Sequence, residues 1–240
     1  MQKVGIIIQA RMGSKRLPGK SLLPLGELLL IDWVIRVSKS VKGVDFVILA
    51  TSQDDNCDEL CNHVFDSGIE ILRGSENNVL QRYKHAIEKY KLDIAIRITG
   101  DDPCHDPILI EEGLKELKNN NYDYLISSSK ELPLIDGLIF EIFTRDIFFK
   151  MYSAYKNNYE TREHVTAPLR DYIMDCKRGY IHKDFINPKY QDSEEKICVD
   201  TLQDINLLNK CWSLRNEDGI YYPDTLKIIE NIRKKSKKIS

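Results

Sequence analysis

The sequence lacks an excess of charge of either sign: 35 Lys and Arg residues oppose 37 Asp and Glu residues, for a formal net charge of −2. Nucleic-acid binders usually carry an excess of basic residues, and acidic disordered tails carry an excess of acidic residues. The total charge therefore favours neither class. Collagen-like and low-complexity segments are also absent, since 42% hydrophobic and 30% charged residues are an ordinary globular composition. We therefore expect one domain, residues 1–240, with room for a sizeable insertion.

Long hydrophobic runs are missing as well. The longest apolar stretch, residues 22–35, is interrupted by proline, glycine and two carboxylates, and a membrane span needs about 20 apolar residues. The first apolar run ends at Arg11, too early for the core of a signal peptide, so we expect a cytoplasmic protein with no membrane partner. The six cysteines are scattered without the paired spacing of a zinc site, which favours reduced thiols.

Apolar runs typical of strands alternate with amphipathic stretches typical of helices as far as about residue 129. The predicted strands are 4–10, 46–51, 69–72, 94–99 and 124–128, and the predicted helices are 30–41, 55–65, 78–90 and 107–119. Strands and helices that alternate at this spacing predict an α/β fold, in which a mostly parallel sheet carries helices on both faces.

The alternation breaks after residue 129, and residues 130–195 are predicted to be an insertion. It would hold a strand at 138–143, helices at 144–156 and 162–171, and an irregular polar stretch. A strand at 197–200 and helices at 202–215 and 223–240 then return to the core pattern. The basic run at 233–238 is interpreted as a solvated helix end, with a phosphate or membrane contact as the second interpretation.

The loop after the first predicted strand has unusual chemistry, because residues 11–20 contain four cations and two glycines. Ligands bind at the carboxyl ends of strands in such sheets, glycines expose backbone N–H donors, and Arg and Lys bind phosphate oxygens. The loop therefore predicts a polyphosphate site, with a solvated basic loop as the alternative. It is not a P-loop, because Ser14 stands where the first glycine of that motif belongs, and no dinucleotide-binding glycine motif is present.

Aspartates follow two other predicted strands. Asp101 and Asp102 come after strand 94–99, and Asp200 ends strand 197–200. Either position alone is typical of a helix cap or turn, but carboxylates at two strand ends also suit Mg²⁺, which offsets the charge of bound phosphates.

Residues 8–20, IQARMGSKRLPGK, resemble the nucleotide-binding signature of cytidylyltransferases. The similarity is to SpsF-type members of spore-coat polysaccharide biosynthesis, which are related to the enzymes that make CMP-Kdo and CMP-sialic acid. It implies a three-layer α/β/α Rossmann-like nucleotidyltransferase fold, similar to GT-A, whose basic loop wraps the phosphates of CTP.

Further motifs extend the resemblance along the chain. Residues 100–103, GDDP, resemble the Gly-Asp-Glu-Pro of the Kdo-activating enzymes, and residues 199–204, VDTLQD, resemble their Val-Asp-Thr-Pro-Glu-Asp. These motifs imply that Asp101 and Asp200 bind Mg²⁺, while Asp204 is read as a first-turn helix residue. Residues 133–143 and 162–166 match acceptor-side segments of SpsF-type members, although Ile139 stands where relatives often carry Asp.

The resemblance also implies a role for each site residue. The implied catalytic residues are Arg11, Lys20 and Asp101, and the implied metal ligands are Asp101 and Asp200. The implied nucleotide-binding residues are Ala10, Arg11, Gly13, Ser14, Lys15, Arg16, Lys20, Arg73, Ser75 and Arg82. The implied acceptor-binding residues are Gly137, Glu141 and His164.

Together these features predict an enzyme that transfers CMP from CTP to an acidic sugar, of the 3-deoxy-ulosonic or nonulosonic acid type, and releases pyrophosphate. The family also leads us to expect a homodimer, with residues 130–195 contributing to the acceptor site and the dimer contact. Three alternatives stay open: a sugar-phosphate nucleotidyltransferase, a GT-A glycosyltransferase and a non-catalytic nucleotide-binding subunit. A glycosyltransferase has little use for a loop of four cations, because its donor is a nucleotide-diphosphate sugar.

Overall fold

The computed structural model describes residues 2–192, 195–217 and 219–236. Its strands are β1 (Val4–Gln9), β2 (Pro24–Leu25), β3 (Leu28–Leu29), β4 (Phe46–Ser52), β5 (Glu70–Gly74), β6 (Ile94–Thr99), β7 (Tyr124–Ile126), β8 (Glu141–Thr144), β9 (Arg178–Tyr180), β10 (Leu214–Glu217) and β11 (Ile220–Pro223). Its α-helices are α1 (Leu30–Ser40), α2 (Asp58–Val64), α3 (Val79–Tyr90), α4 (Pro107–Asn120), α5 (Arg145–Tyr155), α6 (Tyr159–His164), α7 (Ala167–Arg170), α8 (Leu202–Cys211) and α9 (Thr225–Ser236).

Seven of these strands form the central sheet in the order β5-β4-β1-β6-β8-β7-β9. The first four are parallel neighbours, whereas β8 runs antiparallel to both β6 and β7. The chain builds outward from β1 through β4 to β5 and then returns to place β6 on the other side of β1. The strand order therefore switches between β1 and β6, and a crevice at their carboxyl ends is where ligands bind in such sheets.

Strand β1 lies at the centre because its side chains are apolar on both faces. Ile6 and Ile8 pack in one core cluster with Trp33 of α1, whereas Ile7 packs in a second cluster with Tyr83 of α3. Since successive side chains of a strand point to opposite faces, the two clusters are the two interlayers of an α/β/α sandwich. The predicted three-layer fold is confirmed. None of the described helices is long and apolar enough to cross a membrane.

Several predicted boundaries differ from the structure. The predicted strand at 197–200 was wrong: the segment is irregular, and its backbone hydrogen-bonds to loops, as in the bond from Val199 N to Asp101 O of 2.9 Å. The predicted helix 202–215 ends at Cys211, after which β10 and β11 form a hairpin. The predicted helix 223–240 begins at Thr225, and its residues 237–240 lie outside the described residues.

The segment predicted as an insertion also supplies part of the sheet. It contains β8, which lies between β6 and β7, and β9, which pairs with β7 at the sheet edge. The predicted helix at 162–171 is two short helices, α6 and α7, separated by Val165 at φ 31°.

Candidate active site

The loops that follow β1 and β6 are in direct contact at the carboxyl end of the sheet. Gly100 N donates to Gln9 O over 2.8 Å. A Cβ atom on Gly100 would lie 2.5 Å from Ala10 Cβ and 3.2 Å from Gln9 O. Only glycine lets the loops approach this closely, so Gly100 sets the distance between the basic loop and the first aspartate.

Replacing Gly100 with alanine is expected to lower the free energy of unfolding by about 1–3 kcal/mol, because overpacking forces backbone shifts. The obstructing atoms belong to backbone and to the short Ala10 side chain, neither of which can rotate away. Urea unfolding measures the change. An unchanged midpoint would show that the two loops have room to separate.

The basic loop, residues 11–20, folds back on itself and places Lys20 in the crevice between β1 and β6. Gly19 adopts φ 72°, a left-handed conformation, and its N–H donates to Met12 O over 2.9 Å. The Lys20 ammonium then donates to Asp101 Oδ2 at 2.5 Å, Val199 O at 2.8 Å and Asp200 Oδ1 at 3.3 Å. One cation thus brings together the two aspartates that the sequence predicts as metal ligands.

Asp200 is held by further cations. Arg16 Nη2 lies 2.6 Å from its Oδ1, and Lys196 Nζ lies 3.0 Å from its Oδ2. Lys196 also donates to Asp204, whose carboxylate accepts from the backbone N–H groups of Asp200 and Thr201 in a helix cap. Burial acts to raise the pKa of Asp200, but the ammonium groups of Lys196 and Lys20 outweigh it, so the pKa is lowered. Asp200 therefore remains a carboxylate.

The donor set at Lys20 suits a magnesium ion. Asp101 and Asp200 face one common point, where both accept from Lys20. Within the described ranges no group of three or more His, Cys, Asp or Glu side chains forms a complete cation cage. Mg²⁺ needs none, since it is usually held by one or two carboxylates and completes its shell with water and substrate phosphates. Asp101 and Asp200 could hold such an ion together with a bound triphosphate.

A cavity of about 290 Å³ opens over these groups. The sequence-predicted residues that line it are Ala10, Arg11, Ser14, Lys15, Arg16, Lys20, Arg82, Asp101 and Asp200. The lining residues that the sequence analysis had not assigned to the site are Gln9, Ser21, Val79, Thr99, Gly100 and Glu163. The structure therefore brings the cations of the basic loop, Asp101, Asp200 and Arg82 into one cavity.

Arg82 is the buried cation of this cavity. Its residue is 1% exposed, and its Nε and Nη1 have no hydrogen-bond partner among the described residues. Burial lowers its pKa, because desolvation penalises the guanidinium charge. Buried donors without acceptors are costly in a folded protein, so these atoms are suited to a ligand.

Arg11, predicted as catalytic, lies at the cavity wall between two carboxylates. Its Nη1 donates to Glu76 Oε1 over 3.0 Å, and its Nη2 lies 3.8 Å from Glu163 Oε1. A Cβ atom on Gly13 would lie 2.7 Å from the same Glu76 oxygen, so Gly13 leaves space for this pair and does not line the cavity.

Besides Gly13, two predicted nucleotide-binding residues lie outside the cavity. Arg73 donates to Ser52 O and Asp54 O, each over 3.0 Å, and pairs with Asp58. These contacts tie the loop after β4 to β5. Ser75 lies in the turn before α3, where its carbonyl accepts from Asn78 N.

The predicted acceptor residues do not line the cavity either. Gly137 has φ 104°, and a Cβ there would lie 2.7 Å from Cys198 N. Glu141 is 2% exposed and accepts from Arg97, Tyr124 and Thr166 over 2.6–2.8 Å. His164 is exposed at the end of α6.

The family model for cytidylyltransferases matches residues 5–231. The chain belongs to this family. The Spore coat polysaccharide biosynthesis protein SpsF of Bacillus subtilis is 31% identical over 225 residues, which cover 90% of this chain and 89% of that protein. The 3-deoxy-manno-octulosonate cytidylyltransferase of Photobacterium profundum is 31% identical over 119 residues, 48% of this chain and 47% of its own length.

A solved cytidylyltransferase structure from Leptospira borgpetersenii has a similar fold. The two match with a TM-score of 0.85 and 28% sequence identity, covering 99% of this chain and 96% of that one. The cytidylyltransferase described here is thus a CTP-dependent nucleotidyltransferase, and its cavity is the candidate active site.

Proposed function

We propose that this cytidylyltransferase transfers CMP from CTP to an acidic sugar, releases pyrophosphate and depends on Mg²⁺. The observation that carries the proposal is the convergence of Asp101 and Asp200 on Lys20, beside the remaining cations of the loop. The names of the two sequence relatives support a sugar acceptor, and that of the Photobacterium protein supports an acidic one.

Cations of the cavity bind and orient the triphosphate in this proposal. Lys15, Arg16 and Lys20 offer this charge from the loop. A cation fixed near the β- and γ-phosphates stabilises the charge that grows on pyrophosphate as it leaves. The loop thus favours breakage of the bond between the α-phosphorus and the bridging oxygen.

Asp101 and Asp200 would hold the magnesium ion, which supplies Lewis-acid polarisation of a phosphoryl oxygen when bound. No histidine is found among the described residues that line the cavity. The nearest groups able to take a proton from the acceptor hydroxyl are carboxylates. The acceptor oxygen bonds to the α-phosphorus in line with the leaving pyrophosphate, and its proton passes to a carboxylate or to solvent.

Incubation with CTP, Mg²⁺ and a panel of 3-deoxy-2-ulosonic acids, nonulosonic acids and sugar 1-phosphates tests the proposal. We expect pyrophosphate release that depends on an acidic sugar, and a CMP phosphodiester in the phosphorus NMR spectrum. A diphosphate linkage formed from a sugar phosphate would instead identify a sugar-phosphate nucleotidyltransferase. Transfer from a nucleotide-diphosphate sugar without pyrophosphate release would identify a glycosyltransferase.

A further inference from the structure

Glu76 and Arg82 present unused hydrogen-bonding atoms of opposite kinds beside the cavity. Glu76 Oε1 accepts from Arg11, but its Oε2 is buried and has no partner among the described residues. Nε and Nη1 of Arg82 are buried donors that equally lack an acceptor there. Arg82 Cγ lies 2.9 Å from a Cβ position built on Gly74, two residues before Glu76, and the charge of Glu76 acts to raise the pKa of Arg82, so the two side chains lie near each other. The acceptor Oε2 of Glu76 and the donors Nε and Nη1 of Arg82 are therefore suited to a ligand with complementary donor and acceptor groups.

Glu76 and Arg82 line different parts of the site: Arg82 lines the main cavity, and Glu76 lines a recess that lacks Lys20, Asp101 and Asp200. The main cavity extends from Lys20 and Asp101 to Arg11 and Val79. A smaller recess of about 60 Å³ adjoins it, shares Arg11, Lys15, Val79 and Glu163, and adds Glu76 and Tyr159 to its lining. With phosphates at the Lys20 end, the nucleoside faces Glu76 and Arg82.

The pairing edges of the pyrimidine bases differ in the pattern of donors and acceptors. Cytosine carries a 4-amino donor beside the N3 and O2 acceptors, whereas uracil has an oxygen at position 4 and an N–H at position 3. A carboxylate oxygen can accept from the amino group of cytosine but repels the O4 of uracil. A guanidinium can donate to N3 or O2 of cytosine.

We infer that Glu76 is the residue that selects cytidine over uridine nucleotides, with its Oε2 accepting from the 4-amino group while Arg82 donates to the pairing edge. The inference rests on the proposed function, since it places a nucleoside triphosphate in this cavity. It adds a specificity residue that acts on the base and not on the phosphates.

Glu76→Gln is the test variant, and Glu88→Gln is its control. Both variants replace a carboxylate with an amide, but Glu88 pairs with Lys84 on α3 and lines neither the cavity nor the recess. The Glu76→Gln variant is expected to lower the ratio of CTP to UTP affinity about 10- to 100-fold, the value of a hydrogen bond to a charged group. The Glu88→Gln variant should leave the ratio within about threefold. Isothermal titration with each nucleotide measures both.

A nucleotide analogue tests the inference on the unmodified protein. The triphosphate of pyrimidin-2-one riboside lacks only the 4-amino group of CTP. It should bind the wild-type protein about 10-fold or more weakly than CTP, and the Glu76→Gln variant about as well as CTP. Equal binding of the analogue and CTP to the wild type would overturn the inference, as would equal losses of CTP and UTP affinity in Glu76→Gln.

The binding measurements also separate the two proposals. They need no acceptor, so selective CTP binding that depends on Glu76 supports the inference even if no sugar acid is activated. Pyrophosphate release with a sugar acid, combined with an unchanged CTP to UTP ratio in Glu76→Gln, leaves the proposed function standing and overturns the inference.

Discussion

Formation of CMP-sugar by the Asp101→Asn variant is expected to fall at least about 1,000-fold, equivalent to about 4 kcal/mol of transition-state stabilisation. The amide keeps the size of the side chain but loses the negative charge that a divalent cation requires. Lys20 still has Asp200 and Val199 O as partners, so the loop should keep its position. Initial rates of pyrophosphate release at saturating CTP and acceptor measure the effect.

A control for this variant removes a carboxylate outside the cavity. Glu230 pairs with Lys189 and does not line the site. Glu230→Gln should retain wild-type turnover, because exposed ion pairs contribute little to stability. The binding of Mn²⁺ in the presence of CTP gives a readout independent of turnover and should weaken only in Asp101→Asn. Near-normal turnover in Asp101→Asn would remove Asp101 from the metal assignment.

The central sheet could be predicted because its strands are buried on both faces. Ile6, Ile7 and Ile8 of β1 are fully buried, which is why the run reads as apolar without alternation. The segment 197–200 also reads as an apolar strand, because Ile197 and Val199 are buried. Their burial comes from packing beneath the loops at the strand ends, a long-range arrangement that local composition does not encode.

The phosphate-binding part of the site could be predicted because residues that directly follow parallel strands lie together at one edge of the sheet. Arg11 to Lys20 and Asp101 each directly follow a strand, so the α/β pattern alone brings them to one edge. Glu163 comes from α6, whose approach to the cavity depends on tertiary packing. Lys196 stands only four residues before Asp200, but the segment is irregular, so this spacing alone did not predict the contact.

Near-zero net charge concealed a strongly charged site. The cationic loop and the carboxylates of Asp101 and Asp200 have opposite signs and lie within hydrogen-bonding distance of each other, as in the contacts of Asp200 with Arg16 and Lys20. Each side neutralises part of the other in the absence of substrate. A triphosphate with a magnesium ion would bring both signs to this site, with the metal offsetting part of the phosphate charge.

Glu141 is predicted to bind the acceptor, but its contacts in the structure are those of a buried structural carboxylate. Its carboxylate accepts from Arg97 Nη1 at 2.7 Å, from Tyr124 at 2.6 Å and from Thr166. The largely buried guanidinium of Arg97 on β6 needs an anionic partner, and Glu141 supplies it across the β6–β8 pair. A carboxylate so fully occupied has little left to offer an acceptor sugar.

Replacing Glu141 with glutamine is therefore expected to lower the free energy of unfolding by about 3–5 kcal/mol, because it leaves the buried Arg97 charge uncompensated. Urea unfolding measures this loss. The double variant Glu141→Gln with Arg97→Met should recover part of it, since the second change removes the stranded charge. If Glu141 instead binds the acceptor, the single variant will keep wild-type stability and show a raised KM for the sugar, and the Arg97 change will rescue nothing.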